Sequence, residues 1–227
     1  MISIKGAQYP KDVILYTVFF YVRYGVSYRD LEEIMEERGV KVDHATLNRW
    51  VIRYSPLTAD EAQKKKQSVS GSWRMDETYI KVKGKWTYLY RAVDKFGNTI
   101  DFMLSEKRDE AAATAFFKKT IDNNGVPEKV VIDKSGANNA GIENINCLFF
   151  LVFSWCFIEI LQVKYLNNIV EQDHRFIKKL QNPCLDLKRF IQQVRRYSGI
   201  EVAHMIRKGQ LTNNLKPAHE QFMALAG

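Results

Sequence analysis

Cysteine and histidine are scarce in this sequence, and neither shows the spacing of a metal site. The three cysteines, Cys147, Cys156 and Cys184, contain no C-x-x-C pair, and the four histidines contain no H-x-x-x-H pair. A zinc site is therefore not expected. An odd number of cysteines favours reduced thiols in a cytosol. The sequence also begins without the basic, apolar and small-residue succession of a signal peptide, so we predict a cytoplasmic protein.

Long uninterrupted hydrophobic runs are also lacking. The most apolar segment, residues 147–163, reads CLFFLVFSWCFIEILQV and contains Glu159. It falls short of the roughly 18 consecutive apolar residues that indicate a transmembrane helix. We interpret it as buried core or a poorly formed insert, and we predict no membrane association.

Positive charge is abundant and unevenly distributed. The 227 residues carry a net charge of +8, and their 46% hydrophobic content is sufficient for a packed core. Residues 164–216 contain eleven lysines and arginines against four acidic residues, so nearly the whole excess lies in the last quarter of the chain. A basic stripe of this kind indicates a polyanionic partner, nucleic acid first and an acidic membrane surface second.

Residues 11–54 show the pattern of three short helices. Gly25 ends the first helix, and Ser27 begins the second with Asp30 three residues later, an acidic variant of the capping box. Asp43 is the expected N-cap of the third helix. Two short helices joined by a glycine-containing turn are typical of a helix-turn-helix, although an ordinary three-helix packing unit is the alternative.

The third helix leaves polar and basic side chains facing outward, and a lysine run follows in the polar stretch behind it. Side chains of these types fit base edges and phosphates in a major groove. The predicted DNA contacts are His44, Thr46, Asn48, Arg49 and Arg53 on the helix, and Lys64, Lys65 and Lys66 in the lysine run.

The next stretch places Asp76 inside a strand. Residues 73–82 and 86–93 are extended formers joined by a turn at Gly84, and residues 98–104 form a third strand of an antiparallel meander. A carboxylate in a buried strand is unfavourable unless it is paired or bound to a metal. The alternative for Asp76 is a lone carboxylate at an exposed position of the pleat.

Two further carboxylates follow at positions that allow them to meet Asp76. Asp133 ends the apolar run 129–132, which suits a central strand beside the one that carries Asp76. On the amphipathic helix 167–180, Glu171 lies on the polar face with Arg175 and Lys178, whereas Asp173 points to the apolar side. The alternative for this helix is a surface helix with a Glu-to-Arg pair four residues apart.

Three carboxylates from two strands and a helix fit a two-metal phosphoryl-transfer site. Hard oxygen ligands hold Mg²⁺, with Mn²⁺ as a substitute, and two such ions stabilise the entering and leaving oxygens of an in-line displacement. Asp76 would bridge the two ions, and Asp133 and Glu171 would each complete one shell. Lys178 would hold the DNA phosphate near the metals.

Five stretches carry a resemblance to a known family. They are YGVSYRDLEEIMEERGVKVDHATLNRWV, WRMDETYIKVKGKWTYLYRAVDKFGNTIDFML, VIDKSG, VKYLNNIVEQDHRFIKK and GIEVAHMIRKGQ. The chain resembles the DDE transposases of the retroviral-integrase superfamily, and closely the small bacterial insertion-sequence transposases of family six. The spacings from Asp76 to Asp133, Glu171 and Lys178 also match that family's pattern, including a basic residue two helical turns after the glutamate.

The resemblance implies an α/β fold: a ribonuclease-H-like mixed sheet of three antiparallel and then parallel strands, flanked by helices and preceded by an all-α helix-turn-helix domain. It implies an enzyme that binds the terminal inverted repeats of its element and performs Mg²⁺-dependent cleavage and strand transfer to form cointegrates. Double-stranded element ends and target DNA are the implied partners of a homodimer or larger assembly associated with the bacterial nucleoid. Arg175 and Lys179 join Lys178 among the expected DNA contacts.

The expected domains are a helix-turn-helix at 1–58, a linker at 59–72, a catalytic domain at 73–182 and a basic helical extension at 183–227. The sequence departs from the family between residues 140 and 162, where an apolar segment replaces a polar helical one. Two other hypotheses follow: a catalytically inactive copy that only binds DNA, and a nuclease that hydrolyses without joining. The helix-turn-helix argues against the nuclease.

Overall fold

The computed structural model describes residues 8–82, 85–153, 157–181 and 190–227. The predicted turn at Gly84, Cys156, Cys184 and the first seven residues of the predicted extension lie outside this described part. The chain divides into two compact units. We call the described residues of Met1–Gln67 and Ile177–Gly227 the helical unit, and Ser68–Phe176 the sheet unit.

The described part of the chain begins with three helices and ends with three, and its strands lie between them. The helices are α1 (Lys11–Tyr24), α2 (Tyr28–Glu37), α3 (His44–Lys65), α4 (Glu110–Asn124), α5 (Gly136–Phe153), α6 (Asn168–Gln181), α7 (Phe190–Arg207) and α8 (Ala218–Met223). The strands are β1 (Ser72–Val82), β2 (Lys85–Asp94), β3 (Thr99–Ser105), β4 (Lys129–Val131) and β5 (Glu159–Leu161).

Local capping fixes the end of α1 and the starts of α2 and α3, as the sequence predicted. Gly25 has a left-handed φ of 63°, and its backbone N–H donates to the Tyr21 carbonyl at the end of α1. The Ser27 side chain accepts from the Asp30 N–H while Asp30 accepts from the Ser27 N–H, which completes the capping box of α2. Asp43 caps α3 by accepting from the Thr46 N–H.

Helix α3 is longer than the sequence predicted. It passes through Pro56 and continues to Lys65, so residues 59–65 of the predicted linker are helical. The extension is stabilised by burial, because Thr58 and Ala62 are both fully buried on α3. Tertiary packing of one face therefore outweighs the polar composition from which a linker was predicted.

Helices α3 and α7 pack side by side and run in the same direction within the helical unit. Ser55 of α3 lies against Gly199 of α7, and Lys66 forms an isolated β-bridge with Leu211 just beyond the two helices. A Cβ added at Gly199 would lie 2.5 Å from the Ser55 Oγ. Only glycine permits this approach, and the described part of the predicted C-terminal extension is thereby joined to the N-terminal helices.

The sheet unit contains one five-stranded mixed sheet in the order β3-β2-β1-β4-β5. The pairs β1–β2 and β2–β3 are antiparallel, whereas β1–β4 and β4–β5 are parallel. This arrangement confirms the predicted meander followed by parallel strands, and it is the ribonuclease-H-like fold. Strand β5 was not predicted, because it is only three residues long and is defined by its pairing with β4.

The core of the sheet unit lies on the face of β1 that carries Trp73 and Met75. Both side chains are buried, together with Phe116 of α4 and Ile142 of α5. A Cβ at Gly141 would lie 2.7 Å from the Ala113 Cβ, so α5 approaches α4 closely at this point. Because successive strand residues face opposite sides, Asp76 points away from this core.

The apolar segment 147–163, which its composition indicated to be buried core or a poorly formed insert, is only partly buried in its described residues. Three large apolar side chains in the last turns of α5 are exposed, and so is one after it: Leu148, Phe150, Leu151 and Phe157. The Asn146 amide accepts from the Ile158 N–H and donates to the Ile158 carbonyl, so the buried part of the segment is the entry to β5. Among the described residues, no helix has the length and apolar character needed to cross a bilayer.

Candidate active site

Asp76 lies on β1, on the sheet face opposite the apolar core. Its side chain is 20% exposed, and its Oδ2 lies 3.4 Å from the Nε2 atom of His174 on α6. The neighbouring residue across the sheet is Arg91, whose Nη1 lies 2.7 Å from Asp173 Oδ2. Asp173 thus compensates the charge of Arg91. Asp76 lies next to this buried ion pair and is partly exposed to solvent.

Asp133 follows β4 and continues its alignment with β1. The parallel register pairs Trp73 with Val130 and Arg74 with Val131. Asp76 and Asp133 each lie two residues beyond the last of these pairs. The Ile132 N–H still donates to the Leu161 carbonyl, so the extended backbone reaches the residue before Asp133. A parallel register continued by two residues would bring the two aspartates to one sheet position.

A buried polar network lies behind Asp133. Its Oδ1 accepts from the Ser135 N–H at 3.0 Å and from the Asn138 Nδ2 at 3.4 Å. The same Asn138 Nδ2 donates to Glu77 Oε2 at 2.7 Å, and Glu77 forms an ion pair with Arg108. Burial lowers the pKa of Arg108, but the charge and hydrogen bond of Glu77 outweigh it, and the pKa of Arg108 is raised overall.

Glu171 lies on the exposed face of α6, as predicted from its position on the helix. Arg175, Lys178 and Lys179 are also exposed, whereas Val170 and His174 are buried. The Asn167 Nδ2 donates to the Met75 carbonyl at 3.3 Å, directly before Asp76 in β1. This hydrogen bond and the His174 contact hold the first turns of α6 against the strand that carries Asp76.

Sequence reasoning missed the side chains that support the two aspartates. His174 is buried and lies three residues after Glu171, a spacing that puts neighbouring side chains on adjacent helix faces. Glu77 directly follows Asp76 on β1 and faces the same side as Trp73 and Met75. The sequence therefore indicated a buried acid that needs partners. The contact to Asn138 was not readable, because it depends on how α5 packs against the sheet.

The donor set fits Mg²⁺ in chemistry, although the carboxylates are not gathered into a cluster. Across the part of the chain that the structure describes, no group of three His, Cys, Asp or Glu side chains is arranged to hold a metal ion. Asp76 is turned toward His174, and the two hydrogen bonds described for Asp133 both go to Oδ1. Carboxylate oxygens on adjacent strands are the ligands that Mg²⁺ prefers.

The predicted DNA contacts on α3 are spread over its exposed and half-buried surface. Among them, Arg49 Nη2 donates to Thr46 Oγ1 at 2.6 Å, and the His44 Nδ1 lies 3.0 Å from Glu32 Oε2. The hydrogen bond from the Thr46 side chain is the largest cause of the lowered pKa of Asp43. His44, Arg49 and Arg53 are exposed, and Thr46 and Asn48 are half-buried.

The three predicted DNA-contacting lysines, Lys64, Lys65 and Lys66, differ in their contacts and exposure. Lys64 forms an ion pair with Glu61 at 2.7 Å, and the Lys65 Nζ donates to the Ala224 carbonyl. Lys66 forms the bridge to Leu211 through its backbone. Lys64 is exposed, whereas Lys65 and Lys66 are half-buried.

A five-stranded mixed sheet in this order, flanked by helices, defines a ribonuclease-H-like domain. Residues 70–210 match a family model of the IS240 transposase type, described as a DDE domain. The chain therefore belongs to the DDE transposases of bacterial insertion sequences, which confirms the resemblance seen in the sequence.

Curated relatives agree with this assignment. The chain is 46% identical over 171 residues to the transposase for insertion sequence-like element IS431mec of Staphylococcus aureus strain Mu50, covering 75% of each chain. It is 45% identical, with the same coverage, to the Staphylococcus aureus transposase for insertion sequence element IS257 in transposon Tn4003.

Solved structures with low sequence identity include viral integrases. The chain is similar to the HTLV-2 integrase catalytic core domain in complex with magnesium in its trimeric form, with 16% identity and a TM-score of 0.48. That match covers 70% of this chain and 99% of the other. The match to a simian T-cell lymphotropic virus intasome has 14% identity and a TM-score of 0.47, and covers 70% of this chain but only 56% of that chain.

Proposed function

We propose that this transposase binds the terminal inverted repeats of its element and performs Mg²⁺-dependent cleavage and strand transfer. The proposal is supported most by the parallel β1–β4 register, whose last pair, Arg74 with Val131, lies two residues before both Asp76 and Asp133. Membership in the DDE transposases supports the substrate class. Two element ends must be joined to one target, so the active form is a homodimer or a larger assembly on double-stranded DNA.

The chain's own residues divide the chemistry among them. Asp76, Asp133 and Glu171 provide the carboxylates that would hold two Mg²⁺ ions, with Mn²⁺ as a substitute. When bound, the metal supplies charge stabilisation to the entering and leaving oxygens and activates the attacking water. Lys178, Arg175 and Lys179 on the exposed face of α6 neutralise the phosphates of the bound strand.

Both reaction steps are in-line displacements at phosphorus. In the first, water attacks the phosphate at the element end, the bond to the 3′ oxygen breaks, and the element keeps a free 3′ hydroxyl. In the second, that hydroxyl attacks a target phosphate and replaces the 3′ oxygen of the target strand. Phosphoryl transfer of this kind requires positioning and charge neutralisation rather than a covalent enzyme intermediate.

The helical unit supplies DNA recognition. The exposed face of α3, with His44, Thr46, Asn48, Arg49 and Arg53, enters a major groove of the terminal repeat. Lys64 contacts the backbone nearby, together with Lys65 and Lys66. Phosphate contacts of this type set affinity and register, whereas the side chains on the first turns of α3 read bases.

A second candidate function is DNA binding without catalysis. The exposed apolar side chains Leu148, Phe150 and Leu151 at the end of α5 favour it, because the polar segment expected in this family is replaced there. Such a copy would compete for element ends without cutting them.

Strand cleavage and joining by the purified full chain, on DNA that carries the element's own ends, test the proposal. We expect Mg²⁺-dependent joined product that disappears in Asp76→Asn, Asp133→Asn and Glu171→Gln. The matched control is Asp122→Asn, at an exposed carboxylate of α4, and it should retain the product. End binding without product in the unsubstituted chain would support the second candidate, and product in Asp76→Asn would refute the assigned site.

A further inference from the structure

The helical unit contains a basic cleft between α3 and α7, with a volume of about 600 Å³. Three arginines line it, and none of its lining residues in the described part of the chain is acidic. Arg49, Arg53 and Arg195 are all exposed, so their guanidinium groups are accessible from solvent. The lining residues are Asn48, Arg49, Ile52, Arg53, Pro56 and Leu57 of α3, with Gln192 and Arg195 of α7.

The cleft extends toward the N-terminal ends of two helices that run in the same direction, from a close contact between them. Gly199 of α7 packs directly on Ser55 of α3. Gln192 and Arg195 lie one to two turns before Gly199, and Asn48 to Arg53 lie up to two turns before Ser55. The first turns of α7 therefore flank the half of α3 that carries the proposed base-reading residues.

The chemistry of the cleft fits a nucleic-acid backbone. Guanidinium groups match phosphate oxygens with two parallel hydrogen bonds, and Gln192 adds an amide donor. Ile52, Pro56 and Leu57 offer apolar surface to a sugar ring. An acidic peptide would satisfy the arginines as well, but the cleft continues directly into the face of α3 assigned to DNA, which favours one continuous DNA ligand.

We propose that α7 is part of the DNA interface and that Arg195 and Gln192, with Arg53, bind the phosphate backbone beside the groove that α3 enters. This inference rests on the DNA binding proposed above and extends it to an element outside the helix-turn-helix. The arrangement assigns Arg195 to affinity and register, and it assigns sequence readout to α3.

Fluorescence anisotropy of the full chain with two labelled duplexes tests this assignment. One duplex carries the terminal repeat and the other has the same composition in scrambled order, and each is titrated across a range of NaCl concentrations. Arg195→Gln should weaken binding to both duplexes by a similar factor, roughly 3–10-fold, and reduce the slope of log K against log salt by about 1. Gln192→Glu should also weaken binding to both duplexes, because it places a negative charge in the cleft.

Matched variants separate the cleft from general charge. Lys216→Gln removes one positive charge at an exposed site of the same unit outside the cleft lining, and it should change binding less than Arg195→Gln. Arg195→Lys should restore part of the affinity. Far-UV circular dichroism of each variant should match the unsubstituted chain, since Arg195 is exposed.

Several outcomes would overturn the inference. If Arg195→Gln binds both duplexes normally while the unsubstituted chain binds DNA, α7 is outside the interface and the proposed function stands. A loss confined to the terminal repeat would make Arg195 a base reader. Polyglutamate serves as the probe for an acidic peptide. If Arg195→Gln loses polyglutamate binding and binds both duplexes normally, the cleft binds an acidic peptide instead of DNA. If the unsubstituted chain binds neither duplex, the DNA-binding proposal fails and this inference fails with it.

Discussion

At the scale of single residues, each aspartate of the candidate site is supported from a different helix. His174 of α6 lies beside Asp76, and Asn138 of α5 donates to both Glu77 and Asp133. Partners of this kind orient metal-binding carboxylates, and their loss typically costs 10–100-fold in metal affinity or activity. In the proposed metal site they would be positioning residues, because they would act through the carboxylates.

Asn138→Ala should therefore weaken the response to Mg²⁺ without unfolding the chain. We expect a roughly 10-fold higher Mg²⁺ concentration for half-maximal strand transfer, and a smaller rise of Tm on Mg²⁺ addition, because Asp133 loses a donor that fixes its orientation. Asn139→Ala is the matched control, since Asn139 bonds Glu143 on the same helix instead. Equal Mg²⁺ responses in both variants would remove Asn138 from the site.

The raised pKa of Tyr90 makes the free energy of unfolding depend on pH in the alkaline range. Burial first, and then the charges of Glu77 and Asp109, raise the pKa of Tyr90 to about 12. An unfolded tyrosine has a pKa of about 10. The folded state therefore keeps a proton that the unfolded state loses between those values, and the free energy of unfolding falls as pH rises through this window.

Tyr90→Phe should remove this alkaline loss of stability. Between pH 9 and 11, urea unfolding of the unsubstituted chain should lose about 1 kcal/mol more than the variant does, because one pKa unit corresponds to about 1.4 kcal/mol. Below pH 9 the two slopes against pH should agree. Parallel losses up to pH 11 would show that Tyr90 ionises equally in both states.

At the scale of elements, local chemistry was predictable and long-range packing was not. The caps Ser27 and Asp43 were readable, because each is satisfied within three residues of itself. The length of α3 and the existence of β5 depend on partners more than 20 residues away. A three-residue strand that exists only through its pairing with β4 has no local signature.

Gly199 shows how one residue determines the packing of two elements. Gly199→Ala should lower the free energy of unfolding by about 1–3 kcal/mol, since its Cβ would overlap Ser55 and lie 2.9 Å from Val22 Cγ1. Urea unfolding followed by far-UV circular dichroism measures the change. Gly136→Ala is the control, because a Cβ there meets no atom within 4 Å. A Gly199→Ala variant as stable as the control would mean that α3 and α7 do not pack as closely as described.

At the scale of the whole molecule, the sequence predicted the fold class and the family. The order strand, strand, strand, helix and strand indicates the fold, because it permits few arrangements of a mixed sheet. The grouping of the C-terminal helices with the N-terminal ones was not predicted. It depends on contacts such as Gln67 N–H to the Gln210 carbonyl, which join residues far apart in sequence.

The exposed apolar surface at the end of α5 is the feature of the whole molecule that composition least predicted. Leu148, Phe150 and Leu151 together exceed the scattered apolar exposure that is normal for a folded chain. The net charge of +8 opposes self-association through this surface, and added salt weakens that opposition. We expect the chain to bind the dye ANS and to self-associate as salt rises.

Phe150→Gln combined with Leu151→Gln should reduce both dye binding and salt-induced self-association, measured by ANS fluorescence and light scattering. Because both side chains are exposed, the free energy of unfolding should change by less than about 0.5 kcal/mol. Phe116→Leu, at a buried site of α4, is the contrasting variant, and it should lower stability without reducing self-association. A loss of several kcal/mol in the double variant would instead show that this segment is packed, and the apolar run would then be core, as its composition alone indicated.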